Sequence, residues 1–88
     1  MRITLKLYAM LSDHLPSEAD GQKRSGNALP LDVPEGATVQ SVIDRFNLPP
    51  KLVHLVLVNG LYVAPHARPA HALAADDELA IWPPIAGG

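Results

Sequence analysis

The residues of this chain that could do chemistry are few, and the most distinctive of them stand last: Gly87 and Gly88, preceded by Pro83-Pro84-Ile85-Ala86. A terminal carboxylate is a poor electrophile until it is activated, and chemistry on it requires the chain end to reach inside another protein. Glycine carries no side chain to obstruct a narrow channel, so Gly87 and Gly88 make a thin tip. Pro83 and Pro84 cannot donate to a β-ladder and favour an extended, semi-rigid path. They are expected to end the last strand and project the tail outward, and their stiffness lowers the entropy lost on insertion.

The other reactive types argue by elimination. There is no cysteine, hence no disulfide, no side-chain thiol nucleophile and no thiolate metal ligand. The four histidines, His14, His54, His66 and His71, match no usual zinc spacing, so no metal site is expected. Asp76-Asp77-Glu78 reads as a solvated turn leading into a strand, and Lys51 and Lys23-Arg24 as surface charges. The seven Lys and Arg residues are scattered and the formal charge is −2, which argues against a nucleic-acid partner. No apolar run approaches the roughly 20 residues that span a bilayer. The start, Met1 to Leu7, alternates polar with apolar and lacks the continuous apolar block of a secretory signal. A cytoplasmic address without membrane partners is the expectation.

Eighty-eight residues, 48% hydrophobic and 18% charged, suffice for one domain with one core but not for a large internal active site. Ile3, Leu5 and Leu7 alternate with polar neighbours as in a half-buried strand. Ala9 to Leu15 predicts a short helix carrying Met10, Leu11 and Leu15, stopped at Pro16. Ser17 to Asn27 has almost no apolar residue and reads as a mobile loop. Leu29 to Val33 is a short strand whose Pro30 suggests an edge. After the Pro34-Glu35-Gly36 turn, Thr38 looks like an N-cap, and Val39, Val42, Ile43 and Phe46 form one stripe of a helix of about ten residues. Asn47 and Pro49-Pro50 end it.

Val53 to Val58, apolar on both faces, reads as a strand well inside a sheet. Asn59-Gly60 is a strong hairpin signal returning through Leu61-Tyr62-Val63. A loop from Ala64 to Ala72 precedes the final strand, Glu78 to Trp82. The order predicts an α+β domain with one principal helix on one face of a mixed sheet. If Leu79 and Ile81 meet the helix, Tyr8 and Trp82 lie on the opposite, open face, with Tyr62 joining them. These three form the candidate partner-binding patch, leaving Phe46 as the core aromatic.

This order, with Leu5-Lys6-Leu7-Tyr8-Ala9, Val33-Pro34-Glu35-Gly36-Ala37-Thr38-Val39, Val58-Asn59-Gly60 and the closing Pro-Pro-x-x-Gly-Gly, resembles the ubiquitin-like β-grasp sulfur carriers of the MoaD/ThiS family, nearest the small subunit of molybdopterin synthase. The resemblance implies a β-grasp domain over residues 1–82 and an extended tail over 83–88. It also implies that an E1-like, ATP-using partner adenylates Gly88. The resulting thiocarboxylate then gives its sulfur to an acceptor such as the large subunit of molybdopterin synthase. The chain has no nucleotide-binding glycine loop of its own, so ATP belongs to the partner and no cofactor is held permanently. Delivery of sulfur to thiazole, cysteine or thiolated tRNA is an alternative, as are a protein modifier joined through Gly88 and a plain binding module with an idle tail. Where the family usually has glycine in the turn before the last strand, this chain has Asp76, a residue that tolerates the same backbone.

Overall fold

The computed structural model describes residues 1–84. The strands of its main sheet lie in the order Ala28–Asp32, Arg2–Leu7, Glu78–Trp82, Leu55–Val58 and Leu61–Tyr62, so the first and last long strands lie together at the centre. Strand β1 (Arg2–Leu7) runs antiparallel to β4 (Ala28–Asp32) and parallel to β7 (Glu78–Trp82). Strand β5 (Leu55–Val58) is antiparallel to β7 and to the short β6 (Leu61–Tyr62). The parallel β1–β7 pair with an intervening helix makes the sheet mixed, as the element order implies.

Period-2 alternation sets the core. Ile3, Leu5 and Leu7 from β1, Leu29 and Leu31 from β4, Leu79 and Ile81 from β7, and Val56 are all fully buried. They meet Val39, Val42 and Ile43 of the helix α1 (Val39–Arg45). Thr38 is the N-cap: its Oγ1 accepts from the Ser41 N–H at 3.1 Å, and the Ser41 hydroxyl oxygen accepts from the Thr38 N–H at 2.9 Å. This reciprocal box satisfies two donors that a helix start otherwise leaves unpaired. The helix is shorter than the stripe predicts. Phe46 is its C-cap and Asn47 has φ 51°, so the chain turns there, before the proline pair. Phe46 is accordingly half-buried at the core margin, with the Arg45 guanidinium 5.2 Å from its ring centre, rather than enclosed.

The largest departure from the sequence reading lies between the first two long strands. Ser17 to Asn27 is not a structureless loop: β2 (Glu18–Ala19) and β3 (Gln22–Lys23) form an antiparallel hairpin. Asp20 and Gly21, with φ of 53° and 78°, make its turn, a conformation both residue types tolerate. Polar contacts do what apolar burial cannot do here. Asp20 accepts from the Asp32 N–H at 2.9 Å and pairs with Arg45 at 2.9 Å. Arg24, read from sequence as a surface charge, donates to the carbonyls of Ser12, Leu15 and Gly26. The preceding Ala9–His14 is a 3-10 helix that buries Leu11 but leaves Met10 57% exposed, contrary to the expected apolar face.

The hairpin also closes the outer edge of β4. The N–H groups of Leu29, Leu31 and Val33 face β1, leaving those of positions 28, 30 and 32 to face outward. Ala28 donates to the Ser25 carbonyl, Asp32 donates to Asp20, and Pro30 has no N–H. An edge so arranged offers no unsatisfied donor for strand addition.

The segment from Ala64 onward is more ordered than a Pro- and Ala-containing loop suggests. A 3-10 turn at Pro65–Ala67 places the carbonyls of Arg68 and His71 to accept from the N–H groups of Gln40 and Val39, two of the first donors of α1. Asp76 has φ 69°, the left-handed backbone that aspartate can adopt in place of glycine, and its N–H donates to the Arg2 carbonyl at 2.7 Å.

Candidate partner-docking face and carboxyl-terminal site

The register determines which side chains share the sheet face away from α1. In β1 and β7 the core takes Leu5, Leu7, Leu79 and Ile81, so Lys6, Glu78, Ala80 and Trp82 point the other way. Tyr8 extends β1 by one position, its N–H donating to the Ile81 carbonyl at 3.1 Å. That places its ring beside Trp82. The two are stacked with centroids 4.0 Å apart and planes 9° from parallel, and both are half-buried. Such a pair contributes about 0.5–1.5 kcal/mol beyond its buried area and holds both rings in one orientation. Ala9, with φ 51°, turns the chain immediately after Tyr8 into the 3-10 helix, which packs on β1 and β7.

Tyr62 lies on the same face but does not join the stack. It pairs with Leu57 across β5–β6, while Leu57 pairs with Ala80 and Leu55 with Trp82 across β5–β7. Leu55 and Leu57 therefore bridge the space between the stacked pair and Tyr62, which is 60% exposed. The two leucines are the residues sequence reasoning missed on this face. Strand β5 lies inside the sheet, between β7 and β6, as its apolar run implies, but only Val56 and Val58 are buried beneath the helix layer, and Leu55 and Leu57 are half-buried on the other face. The signal was present in the pairing: once Trp82 is placed outward, the antiparallel register puts alternate residues of β5 beside it.

One ion pair borders this apolar strip. Lys6 Nζ lies 3.1 Å from Glu78 Oε1, and the hydrogen bond to Glu78, reinforced by its charge, raises the Lys6 pKa above its ordinary value. Glu78 is held in turn from the hairpin: its N–H donates to Asn59 Oδ1 at 2.9 Å, and Asn59 Nδ2 donates to Asp77. Asn59 and Gly60, at φ 51° and 83°, form the expected tight turn, so one asparagine fixes both the hairpin and the start of β7.

Strand β7 ends at Trp82. The Trp82 carbonyl accepts from the His54 N–H at 3.0 Å, and Pro83, buried and without an N–H, cannot extend the ladder. Pro84 is exposed. Ile85, Ala86, Gly87 and Gly88 lie outside the described residues. Among the described residues no group of His, Cys, Asp or Glu is arranged to hold a metal ion, and no helix is long and apolar enough to cross a membrane.

Among the described residues, a single α-helix laid across a five-stranded mixed sheet, with parallel first and last strands at its centre, defines a ubiquitin-like β-grasp protein. The chain belongs to the ThiS family of ubiquitin-like sulfur carriers, whose family model matches residues 19–88. Among solved structures it is similar to SAMP1 from Haloferax volcanii, at 26% identity and TM-score 0.66 over 100% of both chains. It is also similar to H. volcanii small archaeal modifier protein 1, at 26% identity and TM-score 0.64 over 96% of this chain and 98% of that one. No curated protein matches it.

Proposed function

We propose that this chain is a sulfur-carrier co-substrate whose working group is the Gly88 carboxylate, acting in the cytoplasm in molybdopterin synthesis. The family match running through Gly88 is the observation that carries this reading. In the proposed cycle a carboxylate oxygen bonds to the α-phosphorus of ATP on an E1-like partner, and pyrophosphate leaves. Hydrosulfide then displaces AMP and gives up its proton, leaving a C–S bond where the C–O bond stood. The thiocarboxylate is delivered to an acceptor enzyme, here the large subunit of a molybdopterin synthase, which supplies the catalytic residues.

The globular part, residues 1–82, serves as the handle and residues 83–88 as the probe. Tyr8, Trp82, Leu55, Leu57 and Tyr62 give both partners one apolar face beside the origin of the tail. Pro83 and Pro84 set its direction, and Ile85, Ala86 and Gly87 occupy the entry channel. Deleting Gly88, or adding residues after it, is expected to abolish sulfur transfer while leaving the thermal midpoint unchanged. Transfer that survives either change defeats the proposal.

The likeness to a small archaeal modifier protein favours a second reading, in which the activated Gly88 is joined to lysines of target proteins. Covalent ladders on denaturing gels that disappear when Gly88 is deleted distinguish it. Purifying the native sulfur acceptor separates molybdopterin synthesis from delivery to thiazole, cysteine or thiolated tRNA.

A further inference from the structure

Arg68 is the only charged residue buried among the described ones, at 6% exposure. A guanidinium cannot shed its proton to escape burial. None of the ion pairs among the described residues includes it, and its Nε is buried with no acceptor. A buried cation in this state is a poor device for stability, because an apolar side chain of similar length would fill the space without the desolvation cost. Its use is better read from the two atoms it holds. Nη1 donates to the Val53 carbonyl at 3.4 Å and Nη2 to the His54 carbonyl at 3.2 Å.

Those two carbonyls belong to the peptide planes on either side of the His54 Cα. A planar fork that grips both removes the freedom of φ and ψ at that residue. The fork is itself anchored, since the Arg68 carbonyl accepts from the Gln40 N–H of α1 at 3.1 Å. The plane that carries the Val53 carbonyl also carries the His54 N–H, which donates to the Trp82 carbonyl at 3.0 Å. In a trans peptide these two groups point in opposite directions, so Arg68 holds one end of the plane and Trp82 accepts from the other. A charged donor on the carbonyl also polarises the peptide and strengthens its N–H as a donor.

Leu55 opposite Trp82 is the last pair of the β5–β7 ladder, and the His54 N–H adds its hold where that ladder ends. The Trp82 carbonyl lies in the Trp82–Pro83 peptide plane. Pro83 has no N–H, so this carbonyl is the one hydrogen-bonding group of the plane. The proline ring sets φ of Pro83 near about −65°, which leaves the turn of that plane to decide where the chain leaves the sheet. Pro83 is buried and Pro84 exposed, so the chain emerges within two residues of the held carbonyl.

We propose that Arg68 is a positioning residue that aims the carboxyl-terminal tail, acting through the Val53–His54 peptide on the Trp82 carbonyl. Its consequence for activation rests on the carrier reading given above, whereas its effect on the direction of Pro83 does not.

The test compares the wild-type protein with Arg68→Met, which keeps the aliphatic bulk, and Arg68→Lys, which keeps the charge but cannot fork across both carbonyls. NMR measures the coupling across the hydrogen bond from the His54 nitrogen to the Trp82 carbonyl carbon, and residual dipolar couplings give the orientation of Pro83 against β1 and β4. With an E1-like activating enzyme, pyrophosphate release gives kcat and KM. In folded Arg68→Met the trans-hydrogen-bond coupling should weaken and Pro83 should reorient while β1 and β4 keep their couplings. A misaimed tail should lower kcat about tenfold with KM within about twofold, and Arg68→Lys should fall between Arg68→Met and wild type. A folded Arg68→Met with Pro83 in its wild-type orientation overturns the proposal, as does a KM that rises while kcat holds. Loss of the fold in both variants overturns it too, since Arg68 then serves stability. A wild-type chain that no activating enzyme adenylates refutes the carrier reading instead, and the dipolar couplings still decide whether Arg68 aims the tail.

Discussion

Asp20 offers a quantitative test of how a nearly apolar-free segment stays folded. Asp20→Asn keeps the positive φ of the turn and an acceptor for the Asp32 N–H, but removes the charge. Two losses follow. The bond from Asp32 falls from charge-assisted to neutral, a loss of about 0.5 kcal/mol at a partly exposed site. The ion pair to Arg45, whose side chains are 27% and 38% exposed, contributes roughly 0.5 kcal/mol more. The sum, about 1 kcal/mol, lowers the thermal midpoint of a domain this size by about 4–8 °C.

A double-mutant cycle with Arg45→Ala should return a coupling of roughly 0.5 kcal/mol, although Arg45 has further contacts at Asp32 and Phe46. Acidity supplies an independent check. The Asp32 N–H first, and the Arg45 guanidinium second, hold the Asp20 carboxyl below its ordinary value of 3.8. The unfolded chain then takes up the proton before the folded one does. The stabilisation is complete above that ordinary value and is lost as pH falls through the lower, folded one. The difference between wild type and Asp20→Asn should therefore be constant near neutrality and shrink in strong acid. Urea denaturation across pH, with hydrogen exchange at the Asp32 amide, measures both. An unchanged midpoint together with unchanged exchange at Asp32 refutes the account of the hairpin.

Two further outcomes test the site-bearing face and the turn beside it. Leu57→Glu and Trp82→Ala should weaken binding to the activating enzyme at least tenfold, equivalent to about 1.4 kcal/mol, while far-ultraviolet circular dichroism stays that of the folded domain; undiminished binding by calorimetry argues against this face. Asp76→Val should cost about 1–2 kcal/mol because a β-branched residue is forced to positive φ, whereas Asp76→Gly should change stability by less than about 0.5 kcal/mol, both read from chemical denaturation.

The parts of the fold legible in the sequence are those written in hydrophobic period or in turn chemistry. Ile3-Leu5-Leu7, the Thr38 cap, the Asn59-Gly60 hairpin, the Pro30 edge and the glycine-like role of Asp76 all have local causes and stand in the structure as read. What was illegible depends on partners distant in sequence. Asp20 finds Arg45 and Asp32, Arg24 finds the Ser12 and Leu15 carbonyls, and Arg68 finds Val53 and His54. Composition ranks these segments as loops because it counts apolar area and cannot see ion pairs and carbonyls that the fold later supplies. On the docking face, alternation located Tyr8 and Trp82. Their stacking, and the roles of Leu55 and Leu57, required knowing that β5 lies beside β7.

The central claim is that the last carboxyl group of this chain is a substrate. Intact mass spectrometry of the protein coexpressed with its E1-like activating enzyme and a sulfur source tests it most directly. The account predicts replacement of one oxygen by sulfur, confined to the fragment that ends in Gly88. A mass that stays that of the unmodified chain under these conditions, with the activating enzyme demonstrably bound and turning over ATP, contradicts it.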